Sequence, residues 1–102
     1  MSYYKQHARK IDTEKDLQRE SVGILRQCGF AVCITSNGKK TSNSKGTPDT
    51  FVFIPGRKRW FALEFKTEEG ELSKEQQMLF DMGATVVIRS VEDTHQFIKS
   101  FA

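Results

Sequence analysis

Two short apolar runs around a proline-glycine turn constrain the fold of this chain more than any other feature. The runs TFVFI (residues 50–54) and RWFALEFK (residues 59–66) are rich in aromatic and β-branched residues, and PGRK (residues 55–58) separates them. Runs of this composition favour strands, and a short spacer that contains glycine favours a hairpin. We therefore predict two antiparallel strands joined by a short turn.

The second strand of this hairpin has two different faces, because side chains alternate along a strand. One face carries Phe61, Leu63 and Phe65, and the other carries Trp60, Ala62, Glu64 and Lys66. We expect the first face to lie in the core. The acid and the lysine at the end of the second face have an ordinary explanation as a solvated ion pair on the sheet.

The other elements follow from the period of the apolar residues. The predicted elements are a helix from about Glu14 to Gln27, a strand at 30–35, the two hairpin strands, a helix from Ser73 to near Gly83, a strand at 84–90 and a helix at 91–102. Gly29 is a natural stop for the first helix, and Gln76 matches a capping box only loosely. The order α-β-β-β-α-β-α predicts an α/β fold with a mixed β-sheet flanked by helices.

Composition indicates one globular domain. The chain has 102 residues, of which 37% are hydrophobic and 28% charged, and its formal net charge of +3 favours polyanionic partners only weakly. We treat residues 1–102 as a single domain whose residues 1–12 are either a flexible or a dimer-forming segment. No apolar run approaches the roughly 20 residues that span a bilayer. We therefore expect a soluble, cytoplasmic protein without a membrane partner.

The cysteines and histidines form no metal motif. Cys28 and Cys33 lack the repeated spacing of a zinc site, and their apolar neighbours predict two buried free thiols. His7 and His95 have no neighbouring residues of a kind that would complete a metal site.

A second acid changes the interpretation of Glu64 and Lys66. Asp49 directly precedes the first hairpin strand, so pairing the two strands across the turn brings it beside Glu64 and Lys66. Two carboxylates in one place repel unless a cation neutralises them, and Mg²⁺ prefers a few hard oxygen ligands. A cation there could polarise a phosphate and acidify a water, while Lys66 supplies fixed positive charge.

Several motifs around these residues resemble a known nuclease family. Pro48-Asp49, with Glu64-Phe65-Lys66 fifteen residues later, looks like the PD-(D/E)XK superfamily. The segments KGTPDTFVF, FALEFKTEEGELSKEQQ and GATVVIRSVED resemble the virus-type replication-repair nuclease (VRR-NUC) domain, which occurs alone in phages and at the C-terminus of a Fanconi-anaemia-associated nuclease. The resemblance covers about residues 13–93 and implies a restriction-endonuclease-like core.

The resemblance also implies roles for individual residues. Asp49 and Glu64 would bind Mg²⁺ or Mn²⁺, with the main-chain carbonyl of Phe65 as a third ligand. Lys66 would be the catalytic lysine, and Gln76 would support the site from the second helix. No organic cofactor is implied.

The family has an acid on its first helix, and this chain offers Glu14 and Glu20. At about 100° per residue, Glu14 falls roughly 30 to 40° from the centre of the apolar stripe and Glu20 roughly 80 to 90° away. The opening TEKDLQRE resembles the family's Ser/Thr-Glu-Lys start, which selects the same residue. We expect Glu14 to be the active-site acid, oriented through metal-bound water, with Glu20 as the alternative.

Two groups of basic residues could contact DNA. Lys39, Lys40 and Lys45 lie in the polar loop that leads to Asp49, so we expect them near the phosphates that flank the cleaved bond. The turn residues Arg57, Lys58 and Arg59 lie at the opposite end of the hairpin, so we expect them to be away from the site.

The resemblance implies a structure-selective endonuclease that cuts branched DNA, with Holliday-junction resolution in DNA repair as its task and the host cytoplasm as its location if a phage encodes it. Two alternatives stay open: a nuclease of the same mechanism that acts on flap or ordinary duplex DNA, and a non-catalytic nucleic-acid-binding module. Asp49, Glu64 and Lys66 argue against the module. The short chain has no helix-turn-helix or zinc finger, which favours recognition of DNA shape.

Two symmetric cuts in a four-way junction need two active sites, which a single small domain supplies through a second copy. We therefore expect a homodimer. Candidate apolar residues for its interface, each of which could equally lie in the core, are Tyr3, Tyr4, Trp60, Phe97 and Phe101.

Overall fold

The computed structural model describes residues 13–35 and 45–101, and helix α1 spans Glu14–Gln27. The Thr13 hydroxyl caps its start by accepting a hydrogen bond from the backbone N–H of Asp16 at 3.1 Å. Beyond its end Gly29 has a φ of +87°, a conformation that suits glycine because it has no Cβ. Both ends agree with the prediction from sequence.

The described strands form one mixed sheet in the order β1-β2-β3-β4. The strands are β1 (Ala31–Ile34), β2 (Thr50–Ile54), β3 (Arg59–Phe65) and β4 (Thr85–Ile88). The predicted hairpin is confirmed, since β2 and β3 pair antiparallel from Thr50↔Leu63 to Ile54↔Arg59. β1 pairs antiparallel with β2, and β4 pairs parallel with β3.

Two further helices flank β4. Helix α2 (Lys74–Asp81) forms the crossover from β3 to β4, and helix α3 (Val91–Lys99) follows β4. The element order is the predicted one, and the fold is the predicted α/β class. α3 buries Val91, Thr94 and Phe97, whereas α2 has no buried residue and exposes Met78 and Phe80, as well as Met82 at its C-cap.

The core lies on the face of the sheet that carries Leu63 and Phe65. Leu17 and Leu25 of α1 and Phe97 of α3 belong to the same buried cluster. Burial of these side chains is the main force that holds the helices on the sheet. α2 instead contacts the opposite face, where Gln76 reaches Glu64. The face assignments along β3 therefore agree with the predicted alternation.

The prediction of two buried thiols is wrong. Cys28 and Cys33 are free, but both are exposed. Cys28 is the C-cap residue of α1. Cys33 lies on the edge strand β1, where alternation directs it to the sheet face opposite the core. The apolar residues next to each cysteine in the sequence therefore did not indicate whether the cysteine side chain faces the core or the solvent.

The remaining predictions concern the interface candidates and the loop lysines, of which only some lie within the described residues. Phe97 is buried and its ring meets Phe101 at 5.0 Å, so Phe97 belongs to the core, whereas Trp60 is 48% exposed. Segment 1–12 with Tyr3 and Tyr4, and the loop lysines Lys39 and Lys40, lie outside the described residues. None of the described helices is long and apolar enough to cross a membrane.

Candidate active site

The open end of the hairpin brings Asp49 against the end of β3. Thr35, just after β1, holds the backbone there: its N–H donates to the carbonyl oxygen of Asp49 at 2.8 Å, and its hydroxyl oxygen lies 2.9 Å from the same carbonyl oxygen. The Asp49 side chain then accepts a hydrogen bond at Oδ2 from the backbone N–H of Phe65 at 3.0 Å. The structure therefore brings Asp49 to the backbone of Phe65, the residue between Glu64 and Lys66, as the predicted strand pairing requires.

Glu64 is a buried carboxylate with an incomplete set of hydrogen bonds. Only 2% of the Glu64 surface is exposed to solvent. Oε2 accepts a hydrogen bond from Nε2 of Gln76 at 3.0 Å, while the buried Oε1 has no hydrogen-bond partner among the described residues. A buried polar atom without a partner costs free energy, on the order of 1–3 kcal/mol. The solvated ion pair considered from sequence does not describe this group.

The surroundings of Glu64 favour its neutral form. Burial and, after it, the negative charge of Asp49 together raise the pKa of Glu64 from 4.5 to about 8. The positive charge of Lys66 opposes both effects but does not cancel them. A further positive charge between the two carboxyl groups would favour the charged form of Glu64.

Gln76 is fixed in place by the start of α2. The Ser73 hydroxyl accepts a hydrogen bond from the Gln76 backbone N–H at 3.2 Å, and Oε1 of Gln76 accepts one from the Ser73 N–H at 2.8 Å. This is a complete capping box, which the sequence matched only loosely. Because the cap occupies the amide oxygen, the amide nitrogen is directed at Glu64.

Lys66 and Glu14 meet at the edge of the site. The Lys66 Nζ lies 3.9 Å from Oε2 of Glu14, and the two side chains are 14% and 46% exposed. The acid that the helix phase selected therefore lies beside Lys66, but it is exposed, whereas the phase placed it near the centre of the inward stripe. Glu20 lies farther along α1, half-buried, with an interaction of its own.

The residues present fit a cation that needs few protein ligands. Asp49 and Glu64 supply two carboxylates, and no cluster of three or more His, Cys, Asp or Glu side chains suited to a metal occurs in residues 13–35 and 45–101. The backbone N–H of Phe65 faces Asp49, and the N–H and C=O of one strand residue point to the same side. The Phe65 carbonyl therefore points to the side on which Asp49 lies. Mg²⁺ typically uses one or two carboxylates with waters and phosphate oxygens.

The comparisons with known proteins concern the fold that carries this site. No protein-family model matches the chain, and no curated protein matches it. A solved structure described as a VRR_NUC domain matches with a TM-score of 0.65 and 20% sequence identity, over 89% of this chain and 100% of the other. The chain has the fold of a VRR_NUC domain. At this identity the likeness concerns the fold.

Within this VRR_NUC fold the two groups of basic residues differ in position. Lys45 is exposed, and the described chain resumes at this residue, shortly before Asp49. At the other end of the hairpin, the guanidinium carbon of Arg57 lies 5.4 Å from the centre of the Phe101 ring, and that of Arg59 lies 4.5 Å from Phe61. Two of the turn residues are therefore engaged with aromatic rings away from Asp49.

Two polar residues near the site were not singled out from sequence. Gln18 donates from Nε2 to the Thr50 hydroxyl at 2.9 Å in a buried hydrogen bond, one residue after Asp49. Its spacing of four from Glu14, which puts the two residues on the same side of the helix, was an available signal. Arg89 donates to carbonyls of the loop that follows Lys66. No local pattern identifies Arg89, because its partners are about twenty residues earlier in the chain.

Proposed function

We propose that this protein is a Mg²⁺- or Mn²⁺-dependent endonuclease that hydrolyses phosphodiester bonds in branched DNA, with four-way junctions as its principal substrate. The observation that carries the proposal is the Glu64 carboxylate, which is buried beside Asp49 with one oxygen that lacks a partner among the described residues. A divalent cation at this position would complete its coordination and neutralise both acids. The VRR_NUC fold supports the assignment to the nuclease class.

The residues of the site have separate tasks in this proposal. Asp49, Glu64 and the carbonyl of Phe65 hold the cation, which when bound would polarise the phosphate and lower the pKa of a nearby water. Lys66 presents a fixed positive charge to the phosphate, where negative charge develops during the reaction. Gln76 keeps one Glu64 oxygen in place, so that the other is directed toward the cation.

Glu14 acts through its contact with Lys66. The two charged groups are partly exposed and lie 3.9 Å apart, so they attract each other without forming a close hydrogen bond. This contact restrains the ammonium group of a long, flexible side chain and leaves its donors available to substrate. The exposed Lys45 contacts phosphates that flank the cleaved bond, together with the loop lysines Lys39 and Lys40.

A four-way junction contains two equivalent strands to cut, so the proposal includes a homodimer that supplies two sites. Trp60 is the described interface candidate with the most exposed surface, at 48%. We expect light scattering at micromolar concentration to give about twice the chain mass of 11.7 kDa. Mixed dimers of wild type and Glu64→Gln should nick only one strand of each junction.

The deciding experiment compares substrates and metals. Labelled four-way junction, flap and linear duplex DNA are incubated with the protein in Mg²⁺, Mn²⁺ or EDTA, with Glu64→Gln as control. We expect the junction to be cut first, in metal only, and by the wild type only. Preferred cleavage of flap or linear duplex would favour the alternative nuclease. Binding without cleavage in either metal would instead favour the non-catalytic module.

A further inference from the structure

Arg89 holds the loop that joins β3 to α2. Its Nη1 donates hydrogen bonds to the carbonyl oxygens of Gly70 at 2.7 Å and Thr67 at 2.8 Å, and the carbonyl of Glu68 lies at 3.4 Å. A guanidinium is planar and carries several N–H donors, so one side chain can bind neighbouring carbonyls of a single turn. The loop therefore takes its shape partly from a residue that lies on another element.

Arg89 is itself fixed at the junction of β4 and α3. Its backbone N–H donates to Oδ2 of Asp93 at 2.8 Å, and the Asp93 N–H donates to the Ser90 hydroxyl at 3.1 Å. The preceding residue, Ile88, accepts a hydrogen bond from the backbone N–H of Lys66 at 3.0 Å. The base of the Arg89 side chain is therefore anchored to the strand that borders the candidate site.

The loop connects two residues of that site. Lys66 comes directly before Thr67, and Ser73, which caps Gln76, follows the loop. α2 has no buried residue, so the core alone does not determine where Gln76 lies. Gly46 packs closely against α2, because a Cβ at this position would lie 2.6 Å from the Cβ of Glu75.

We propose that Arg89 is a positioning residue for phosphodiester hydrolysis. Arg89 holds the carbonyls of Thr67 and Gly70 and so fixes the shape of the loop. The loop in turn determines where Lys66, before it, and Gln76, after it, lie relative to Glu64. The inference rests on the proposed nuclease function, because it assigns these two residues a task in that reaction. Arg89 acts through them and does not contact the reacting groups.

The test compares Arg89→Ala with Arg26→Ala. Arg26 is a matched control because its Nη2 also donates to a backbone carbonyl, that of Val32 at 3.2 Å, but at an exposed position outside this loop. Turnover on junction DNA, DNA affinity in Ca²⁺ and thermal unfolding are measured for both variants. A structural NMR readout is added: the side-chain amide signals of Gln76, recorded without metal or DNA.

We expect Arg89→Ala to lower turnover by about 10- to 100-fold, the range typical of residues that orient a metal site, with DNA affinity within about twofold of wild type. Millimolar methylguanidinium should restore part of the turnover by occupying the space of the lost side chain. The Gln76 amide signals should move toward their solvent-exposed positions. Arg26→Ala should show none of these changes, and Arg89→Lys, which keeps the charge and some donors, should be intermediate.

Wild-type turnover in Arg89→Ala, or unchanged Gln76 amide signals, would overturn the proposal. DNA affinity that falls as much as turnover would make Arg89 a phosphate contact instead. If Arg89→Ala does not fold, Arg89→Lys decides, and loss of folding there would assign a purely structural role. If the wild type cleaves no DNA, the proposed function fails, whereas the amide signals still report whether Arg89 places Gln76.

Discussion

The two ends of the β2–β3 hairpin both carry charged residues, but they place those charges in opposite environments. At the turn end, Arg57 and Arg59 are exposed and lie over the rings of Phe101 and Phe61. At the open end, Glu64 is buried beside Asp49, and its Oε1 lacks a partner among the described residues. The first arrangement stabilises the fold slightly, whereas the second costs stability.

Under the proposed function, this difference separates charges that stabilise the fold from charges that serve the site. Solvated guanidinium groups over aromatic rings contribute about 0.5–1 kcal/mol each and need no ligand. The surroundings of Glu64 raise its pKa to about 8 and so disfavour its charged state. Converted to free energy, this shift is on the order of a few kcal/mol. Strained environments of this kind cluster at functional sites.

The largest effect on the open end should come from Lys66. We expect Lys66→Met to lower turnover by about 100- to 1,000-fold, because the fixed positive charge that faces the phosphate is lost. Metal binding should be kept, since Lys66 is not a ligand, and isothermal titration with Mn²⁺ checks this. Metal affinity that falls together with turnover would contradict the role assigned to the lysine.

Gln76 offers a finer test of the same end. Glu at this position still completes a capping box but cannot donate to Glu64, so Gln76→Glu separates the two tasks of the side chain. We expect turnover about 10- to 100-fold below wild type, with α2 intact by circular dichroism. Turnover near wild type would show that the donated hydrogen bond at 3.0 Å has no part in the reaction.

The helix acids should show a smaller difference. Glu14→Ala should lower turnover by about tenfold, because the contact at 3.9 Å that restrains Lys66 is lost. Glu20→Ala is the matched control on the same helix, and we expect it to retain most activity. The opposite order in a junction-cleavage assay would identify Glu20 as the acid of the site.

The turn end should respond least in activity. We expect Arg57→Gln and Arg59→Gln to leave turnover within about twofold of wild type and to lower the free energy of unfolding by about 0.5–1 kcal/mol each. Cleavage rates and urea unfolding of each variant measure the two quantities. A large loss of turnover with unchanged stability would place DNA at the turn and remove the distinction between the ends.

Local sequence patterns predicted much of this molecule because the relevant signals are short-range. The hairpin, its alternation and the bounds of α1 depend on residues within a few positions of one another, and strand pairing then brought Asp49 to Glu64. The exposure of Cys33 and the reach of Arg89 depend on which elements pack together. Such long-range facts leave no mark in the local pattern. The near-complete burial of Glu64 was missed for the same reason.

The central claim is that Asp49 and Glu64 hold a divalent cation, and Mn²⁺ titration of wild type and Glu64→Gln at several pH values tests it most directly. Glu64 must lose its proton to bind metal, and its pKa is raised to about 8. Wild-type affinity should therefore rise with pH below about 8 and level off above that value, with proton release on binding. Glu64→Gln should bind weakly without this pH dependence. Equal affinity in the two proteins across the range would contradict the account.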